Sequence, residues 1–372
     1  MICEKPNREA ESSRGEALTE DSKPPLLYTL FSSNLYGTER MALATLSGLR
    51  DQFDPVLLAP PGPALKEAER RGFSCAPFRT RRELAGSIRH RLAAHRRLVF
   101  VATAITHSAI AVCLNAVYRR RLTHLHMVHG GNEEIRSYGR KWWLNRLDLM
   151  FVPVSGYARE RLIAHGVRAD KIRVIENFLP DERLRSIPRR GPFRGQGVGR
   201  VIVVTRLDPM KRVDLLLDAL DRDPSLGSLS IRIFGGAAND EFRRRVEQRH
   251  PNVQLMGFQP DVSRELAASD LLVHTCPREA FGLAIVEAMA AGIPVLVPDR
   301  GGAGGLVTED VDGYRFRADD VEDLARQLDR LRRVDADELN RIVAAGRATL
   351  ETRFSETARL DDYRRIIRES ET

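Results

Sequence analysis

Between residues 26 and 355 the chain alternates short apolar runs with stretches whose apolar positions recur at helical spacing. In the first half, residues 26–31, 56–58, 98–102, 124–128, 149–154 and 171–175 read as strands. Residues 38–49, 64–71, 106–120, 141–146 and 156–165 read as the helices between them. Such alternation predicts α/β architecture, parallel sheets covered by helices on both faces. Residues 180–199, PDERLRSIPRRGPFRGQGVG, break the rhythm with Pro, Gly and Arg and predict a domain boundary with a loose hinge. The alternation then restarts, with strands expected at 200–204, 231–235, 253–256, 271–274, 293–298 and 314–316. Helices are expected at 214–220, 240–248, 263–268, 282–291 and 321–332. The chain thus divides into a disordered tail (1–24), a first domain (25–185), a linker (186–199), a second domain (200–355) and a C-terminal helix (356–372) packing back on the first domain. Two doubly wound domains facing each other leave a cleft, and small ligands bind where the strands end at such clefts.

Length agrees with this division, since 372 residues suit two domains at about 100–200 residues each. The first 24 residues are polar and lack the apolar core of a signal peptide, so the expected location is cytoplasmic, with peripheral contact to the inner membrane face held open. Cys3, Cys75, Cys113 and Cys276 are scattered, which argues against a zinc site or disulfide framework and for buried free thiols. A net charge of +8 points to an anionic partner. No nucleic-acid-binding pattern accompanies that charge, so a nucleic acid is not expected. The dinucleotide fingerprint is also missing: GQGVG (195–199) precedes a strand instead of following one.

Chemistry concentrates in the second half. In LLVHTCPREAFGLAIVEAMAAG (271–292) a buried strand leads through a loop into a helix. Glu279 falls just before that helix and Glu287 inside it. The amides of Phe281, Gly282 and Leu283 lie at a helix start, where unpaired donors and the helix dipole favour a phosphate. Glu279 can equally be a dipole-compensating cap. Glu287 lies among Ile285, Val286, Ala288 and Met289, where a charge needs a partner. In RVIVVTRLDPMKRVD (200–214), Arg206 and Lys211 follow a buried strand, which directs two cations either at the cleft or at solvent.

TRLDPMK, EAFGLAIVE, AMAAGIPVL and the pair Gly301-Gly302, in this order, resemble the retaining glycosyltransferases of family 4, which have the GT-B fold of two Rossmann-like domains. In the first half, NLYGTER (34–40) is similar to the family's glycine loop, with Tyr36 where a second glycine is usual. VHG (128–130) is similar to its histidine at a strand end. The resemblance implies that Arg206 and Lys211 hold the donor diphosphate, Glu279 the donor sugar and Glu287 the ribose. It also implies that Phe281, Gly282 and Leu283 cradle phosphate, that Gly37 lets a loop approach the donor, and that His129 binds near the anomeric centre. The donor would be a UDP- or GDP-sugar and the acceptor a glycan or lipid-linked hydroxyl, in cell-envelope or natural-product glycan assembly. Arg and Lys would stand in for a metal, so no metal or other cofactor is expected. Gly305 occupies a position where family members commonly carry glutamate. A structural role for His129 stays open, since His107, His124 and His126 lie nearby in sequence.

Residues 79–97, RTRRELAGSIRHRLAAHRR, read as a basic amphipathic helix. It suits either an anionic membrane surface or solvent. Two further readings remain: a nucleotide-sugar epimerase of the same fold, and a non-catalytic sugar-nucleotide-binding protein.

Overall fold

The computed structural model describes residues 23–130, 134–195, 197–236 and 240–370. The first lobe contains strands β1 (Pro25–Thr29), β2 (Asp54–Ala59), β3 (Ser74–Pro77), β4 (Arg97–Ala102), β5 (Arg121–Val128) and β6 (Met150–Pro153). Its helices are α1 (Gly37–Leu49), α2 (Pro63–Arg70), α3 (Arg81–Ala94), α4 (Ile105–Tyr118) and α5 (Gly156–Ala164), followed by the connecting helix α6 (Asp181–Ser186). The second lobe has strands β7 (Arg200–Val204), β8 (Ser230–Phe234), β9 (Val253–Gly257), β10 (Leu271–Val273), β11 (Val295–Pro298) and β12 (Tyr314–Phe316). Around them lie α7 (Asp214–Arg222), α8 (Asp240–Arg249), α9 (Ser263–Ala267), α10 (Leu283–Ala291), α11 (Gly301–Leu306), α12 (Val321–Leu331) and α13 (Ala336–Arg353). Helix α14 (Glu356–Glu369) ends the described chain.

The sheets repeat one topology. Their strand orders are β3-β2-β1-β4-β5-β6 and, read from the opposite edge, β9-β8-β7-β10-β11-β12, with the paired strands parallel throughout. The order reverses between β1 and β4 and between β7 and β10, and such switch points open ligand crevices at the carboxyl ends of strands. Central strands such as β1 and β11 are buried along their whole length, which explains their unbroken apolar sequence. The edge strand β3 is half-exposed and has no apolar run to announce it.

Several expectations are corrected. Residues 171–175 form no strand; only an isolated bridge joins Ile172 to Phe151. The connection between the lobes is not loose. It contains α6, and Ile187, Phe193 and Val198 are buried in it. Arg190 stacks on the Phe193 ring and pairs with Asp270 at 2.8 Å, while Asn340 and the Phe193 backbone exchange hydrogen bonds of 2.9 and 3.0 Å. Of the cysteines, Cys276 is buried, Cys75 is half-buried and Cys113 is exposed. Residues 1–22, which include Cys3 and most of the expected tail, lie outside the described residues.

The basic helix exists as α3, but Leu84, Ile88 and Leu92 pack into the first lobe's own core against Val56, Leu98 and Phe100. Its apolar stripe is therefore consumed by folding. Arg81, Arg82, Arg89 and His90 remain exposed, so α3 offers solvent charge without an insertable face. Helix α14 crosses back onto the first lobe. Arg364 donates to the Gly48 carbonyl at 2.9 Å, and Leu360 packs so closely on Gly48 that a Cβ there would lie 2.2 Å from its Cδ1. One apolar cluster consequently runs from α1 through α14 to α10, joining both lobes.

Candidate active site

The loops leaving β1, β5, β7 and β10 meet in a cleft of about 400 Å³. In the second lobe, the turn after β7 carries Arg206, Asp208 and Lys211, and Arg206 pairs with Asp208 at 3.0 Å. The segment after β10 clamps this turn: Thr275 donates to the Lys211 carbonyl at 2.8 Å and the Cys276 thiol to the Met210 carbonyl at 3.3 Å. The clamp brings the Lys211 ammonium to 2.6 Å from Glu279 Oε2, with little of either side chain exposed. Burial works against charge on both groups. Their attraction prevails, raising the Lys211 pKa and lowering that of Glu279. An ammonium and a carboxylate are thus stored as an ion pair facing the cleft.

His274 sits behind this pair, its Nε2 3.6 Å from Glu279 Oε2 and without a hydrogen-bond partner. Burial lowers its pKa to about 4, so it is neutral at neutral pH. His274, Thr275 and Cys276 were missed in the sequence, although three polar residues directly after a buried strand at a switch point were a usable signal. Among the described residues, His274, Cys276 and Glu279 have metal-ligand chemistry within 4.8 Å of one another. Any cation there competes with Lys211 for the Glu279 carboxylate.

The 277–280 loop rests on Gly301 and Gly302. The Gly302 amide donates to the Glu279 carbonyl at 2.6 Å, and a Cβ on Gly302 would lie 2.0 Å from the Ala280 carbonyl oxygen. No side chain fits, which is the physical reason for glycine at this position. Gly305 differs: nothing lies within 4 Å of a Cβ built on it. It borders a neighbouring cavity of about 650 Å³ whose walls include Arg278, Arg300, Arg315 and Arg353.

Helix α10 begins at Leu283, one residue later than expected, with Gly282 as a left-handed N-cap at φ 102°. The Gly282 carbonyl accepts from the Ile285 amide at 3.0 Å, leaving the first-turn amides of Leu283 and Ala284 at the helix mouth. Phe281 contributes backbone to the cleft, while its buried ring packs edge-on against Phe354 at 5.6 Å. Glu287 has the partner its surroundings demand. Its Oε1 accepts from Arg183 Nε at 2.9 Å, and the same guanidinium reaches Asp261 at 2.8 Å. Arg183 comes from α6, so the connection between the lobes supplies this contact.

The first lobe closes the cleft from the other side. His129 follows β5, with Nε2 3.5 Å from the Tyr28 hydroxyl, and burial lowers its pKa to about 4. His107, His124 and His126 are structural: His107 bonds Thr29 at 3.1 Å, and Ser108 bridges His124 and His126 at 3.0 and 2.8 Å. Gly37 opens α1, and a Cβ there would lie 3.2 Å from Leu283 Cδ1 across the cleft. Gly130, at φ 74°, approaches Ala280 so closely that a Cβ would lie 2.5 Å from the alanine methyl. Glu39, also missed in the sequence, shapes the glycine loop. It is buried, accepts from the Tyr36 amide at 2.9 Å and receives the Ser32 hydroxyl.

Known proteins with this arrangement identify the family. A model described as Glycosyltransferase Family 4 matches residues 36–183, and one described as Glycosyl transferases group 1 matches residues 192–349. The D-inositol 3-phosphate glycosyltransferase of Mycobacterium tuberculosis (strain ATCC 25618 / H37Rv) is 27% identical over 258 residues, 64% of this chain and 53% of that protein. The chain spans about half the length of the curated relatives it matches. HepE from Anabaena, crystallised in complex with UDP-glucose, superposes with a TM-score of 0.77 at 20% identity over 93% of this chain and 99% of that one. A glycosyltransferase from Rickettsia africae ESF-5 gives 0.73 at 19% identity over 94% and 98%. The chain belongs to the glycosyltransferases of family 4 and has their GT-B fold.

Proposed function

We propose that the protein is a retaining glycosyltransferase that moves a sugar from a nucleoside-diphosphate sugar to an acceptor hydroxyl. The observation that carries this reading is the Lys211–Glu279 pair, held 2.6 Å apart at a helix mouth and facing His129 across the cleft. A donor's diphosphate competes with Glu279 for Lys211, and Arg206 lies beside it on the same turn. Once its ammonium turns to phosphate, Glu279 is free to accept hydrogen bonds from the sugar hydroxyls. The Leu283 amide and the neighbouring Phe281–Gly282 backbone meet the phosphates, and Gly37 leaves room above them. Glu287 receives the ribose hydroxyls, with Arg183 holding its carboxylate in place. UDP-sugars are favoured over GDP-sugars because HepE was crystallised with UDP-glucose and with UDP.

During transfer the bond from the anomeric carbon to the diphosphate oxygen breaks, and a bond to the acceptor oxygen forms on the same face. The acceptor's proton passes to the departing phosphate oxygen. Arg206 and Lys211 offset the charge growing on that diphosphate, the place where preorganised cations lower a barrier most. Neutral His129 donates to, or accepts from, a hydroxyl near the anomeric carbon. No metal is required by this scheme, because the diphosphate meets cations from the chain itself. The acceptor is proposed to be a glycan or lipid-linked hydroxyl.

The test is donor turnover by Glu279→Ala and Lys211→Ala, each expected to lose about 10²–10³-fold in kcat. Wild-type rates in both would refute the site. The anomeric configuration of the product, read by NMR, tests retention, and inversion would refute that part. Turnover unchanged by EDTA is expected.

A further inference from the structure

His274, Cys276 and Glu279 follow β10 in one short segment and offer a nitrogen, a sulfur and an oxygen donor. The proposed transfer uses only the carboxylate of Glu279. His274 is 6% exposed and lines the cleft, with Nε2 3.6 Å from Glu279 Oε2 and without a hydrogen-bond partner. A ring nitrogen buried unsatisfied is costly, so the position calls for a partner that arrives through the cleft. Burial keeps this imidazole neutral, with a pKa of about 4, so its lone pair is available at neutral pH. Cys276 is buried beside it, and its thiol donates to the Met210 carbonyl. The three donor atoms lie within 4.8 Å of one another, the one such trio among the described residues. Zinc bonds these atom types at about 2.0–2.3 Å in a tetrahedron, which sets its ligand atoms about 3.3–3.8 Å apart. The separation of His274 from Glu279 already has that value. Bringing in the sulfur takes a side-chain movement of about 1 Å.

We propose that this trio binds a zinc-class divalent cation, which inhibits the protein by taking the Glu279 carboxylate from Lys211. A thiolate and an imidazole select such a cation over magnesium or calcium, which prefer oxygen ligands. On binding, the Cys276 S–H bond breaks and its proton passes to water. The thiolate, the neutral His274 Nε2 and Glu279 Oε2 bond the cation, and a water fills the fourth position. No electron changes hands. The two ligand charges neutralise the cation, and the Lys211 ammonium, now 2.6 Å from that Oε2, gives up its place and turns into the cleft. Glu279 is then withdrawn from the donor sugar. The inhibition rests on the transferase reading given above; the binding of the cation does not. The scattered cysteines argued against a zinc site built from thiols alone, but here one thiol suffices because the segment supplies the histidine and the carboxylate.

Cobalt(II) and zinc(II) are the probes, titrated into the reduced full-length chain after EDTA treatment and desalting. Cobalt should give a sulfur-to-metal charge-transfer band in the near ultraviolet and tetrahedral ligand-field bands in the visible, saturating at one ion per chain and abolished by zinc. Cys276→Ser keeps a hydroxyl donor for the Met210 carbonyl and should lose the charge-transfer band, while Cys113→Ser retains it. His274→Leu removes no hydrogen bond at Nε2 and should weaken cobalt binding by more than about tenfold, which carries the test if Cys276→Ser does not fold. Lys211→Ala should bind cobalt about tenfold more tightly than wild type, because the competing ammonium is gone. Equimolar zinc should cut donor turnover by about tenfold or more, EDTA should restore it, and magnesium should have no such effect. Absence of the charge-transfer band overturns the proposal. So does a band that survives in Cys276→Ser, which would assign the metal to another thiol such as the exposed Cys113. Equal cobalt affinity in wild type and Lys211→Ala, or zinc bound without loss of turnover, overturns the displacement of Lys211 from Glu279. A protein that turns over no donor at all refutes the enzymatic reading instead, and the cobalt spectra still decide the site.

Discussion

Replacing Lys211 by alanine removes one half of an ion pair and leaves Glu279 without its cation. Breaking a fully buried pair costs about 3–5 kcal/mol because the remaining charge stays desolvated. Side-chain exposures of 12% for Lys211 and 21% for Glu279, on a cleft open to water, bring the cost down to the bottom of that range or just below it, about 2–3 kcal/mol. At about 2–4 °C per kcal/mol for a lobe of this size, the melting temperature should fall by roughly 4–12 °C. Adding Glu279→Gln should recover part of that loss, because the uncompensated charge is gone. The pH dependence has a defined sign. Glu279's pKa is lowered from 4.5, so its share of stability is present above that value and lost as pH falls through the folded pKa. Lys211's pKa is raised from 10.5, so its share is present below that value and lost as pH rises through the folded pKa. Without Lys211, burial raises the Glu279 pKa in the variant, so the stability gap between wild type and Lys211→Ala should narrow as pH falls through that raised value and again as pH rises through the folded Lys211 pKa, and be widest between the two. Calorimetry across pH, paired with donor turnover, checks both halves. An unchanged melting temperature together with unchanged kcat/KM would refute the reasoning.

Glu287→Ala should weaken donor binding by about tenfold, or 1.4 kcal/mol, with a smaller effect on kcat; titration with UDP measures it. Burial holds His129 neutral with a pKa of about 4, so it should contribute no ionisation to kcat/KM between about pH 5.5 and 8. A limb near pH 6.5 that disappears in His129→Gln would contradict this. Gly302→Ala should destabilise by several kcal/mol, because its Cβ would collide with the Ala280 carbonyl. Gly305→Ala, in open space on α11, should be neutral or stabilising by up to about 1 kcal/mol, and chemical denaturation of the two variants compares them.

The hydrophobic pattern determined the layout because buried parallel strands must be apolar throughout, and β7 and β12 lie where that pattern placed them. It had no purchase on β3, an exposed edge strand, or on α11, whose GGAGGL sequence carries no helical signal and is helical only through its packing under the 277–280 loop. Residues 171–175 misled for the opposite reason: their apolar residues cover the core beside β6 without joining a ladder. In the site, the types and order of Arg206, Lys211, Glu279 and Glu287 were legible locally, since the first three follow buried strands and Glu287 is a charge among apolar residues inside a helix. Their partners were not. Lys211 meets Glu279 across 68 residues, and Glu287 meets Arg183 across 104, contacts that exist only once two sheets and the connection between them have packed. Periodicity likewise revealed that α3 has an apolar stripe, and only the tertiary structure decided that the stripe faces inward while Trp142 and Trp143 face water. A chain's pattern states which surfaces must be covered; the assembled fold decides what covers them and which remain bare.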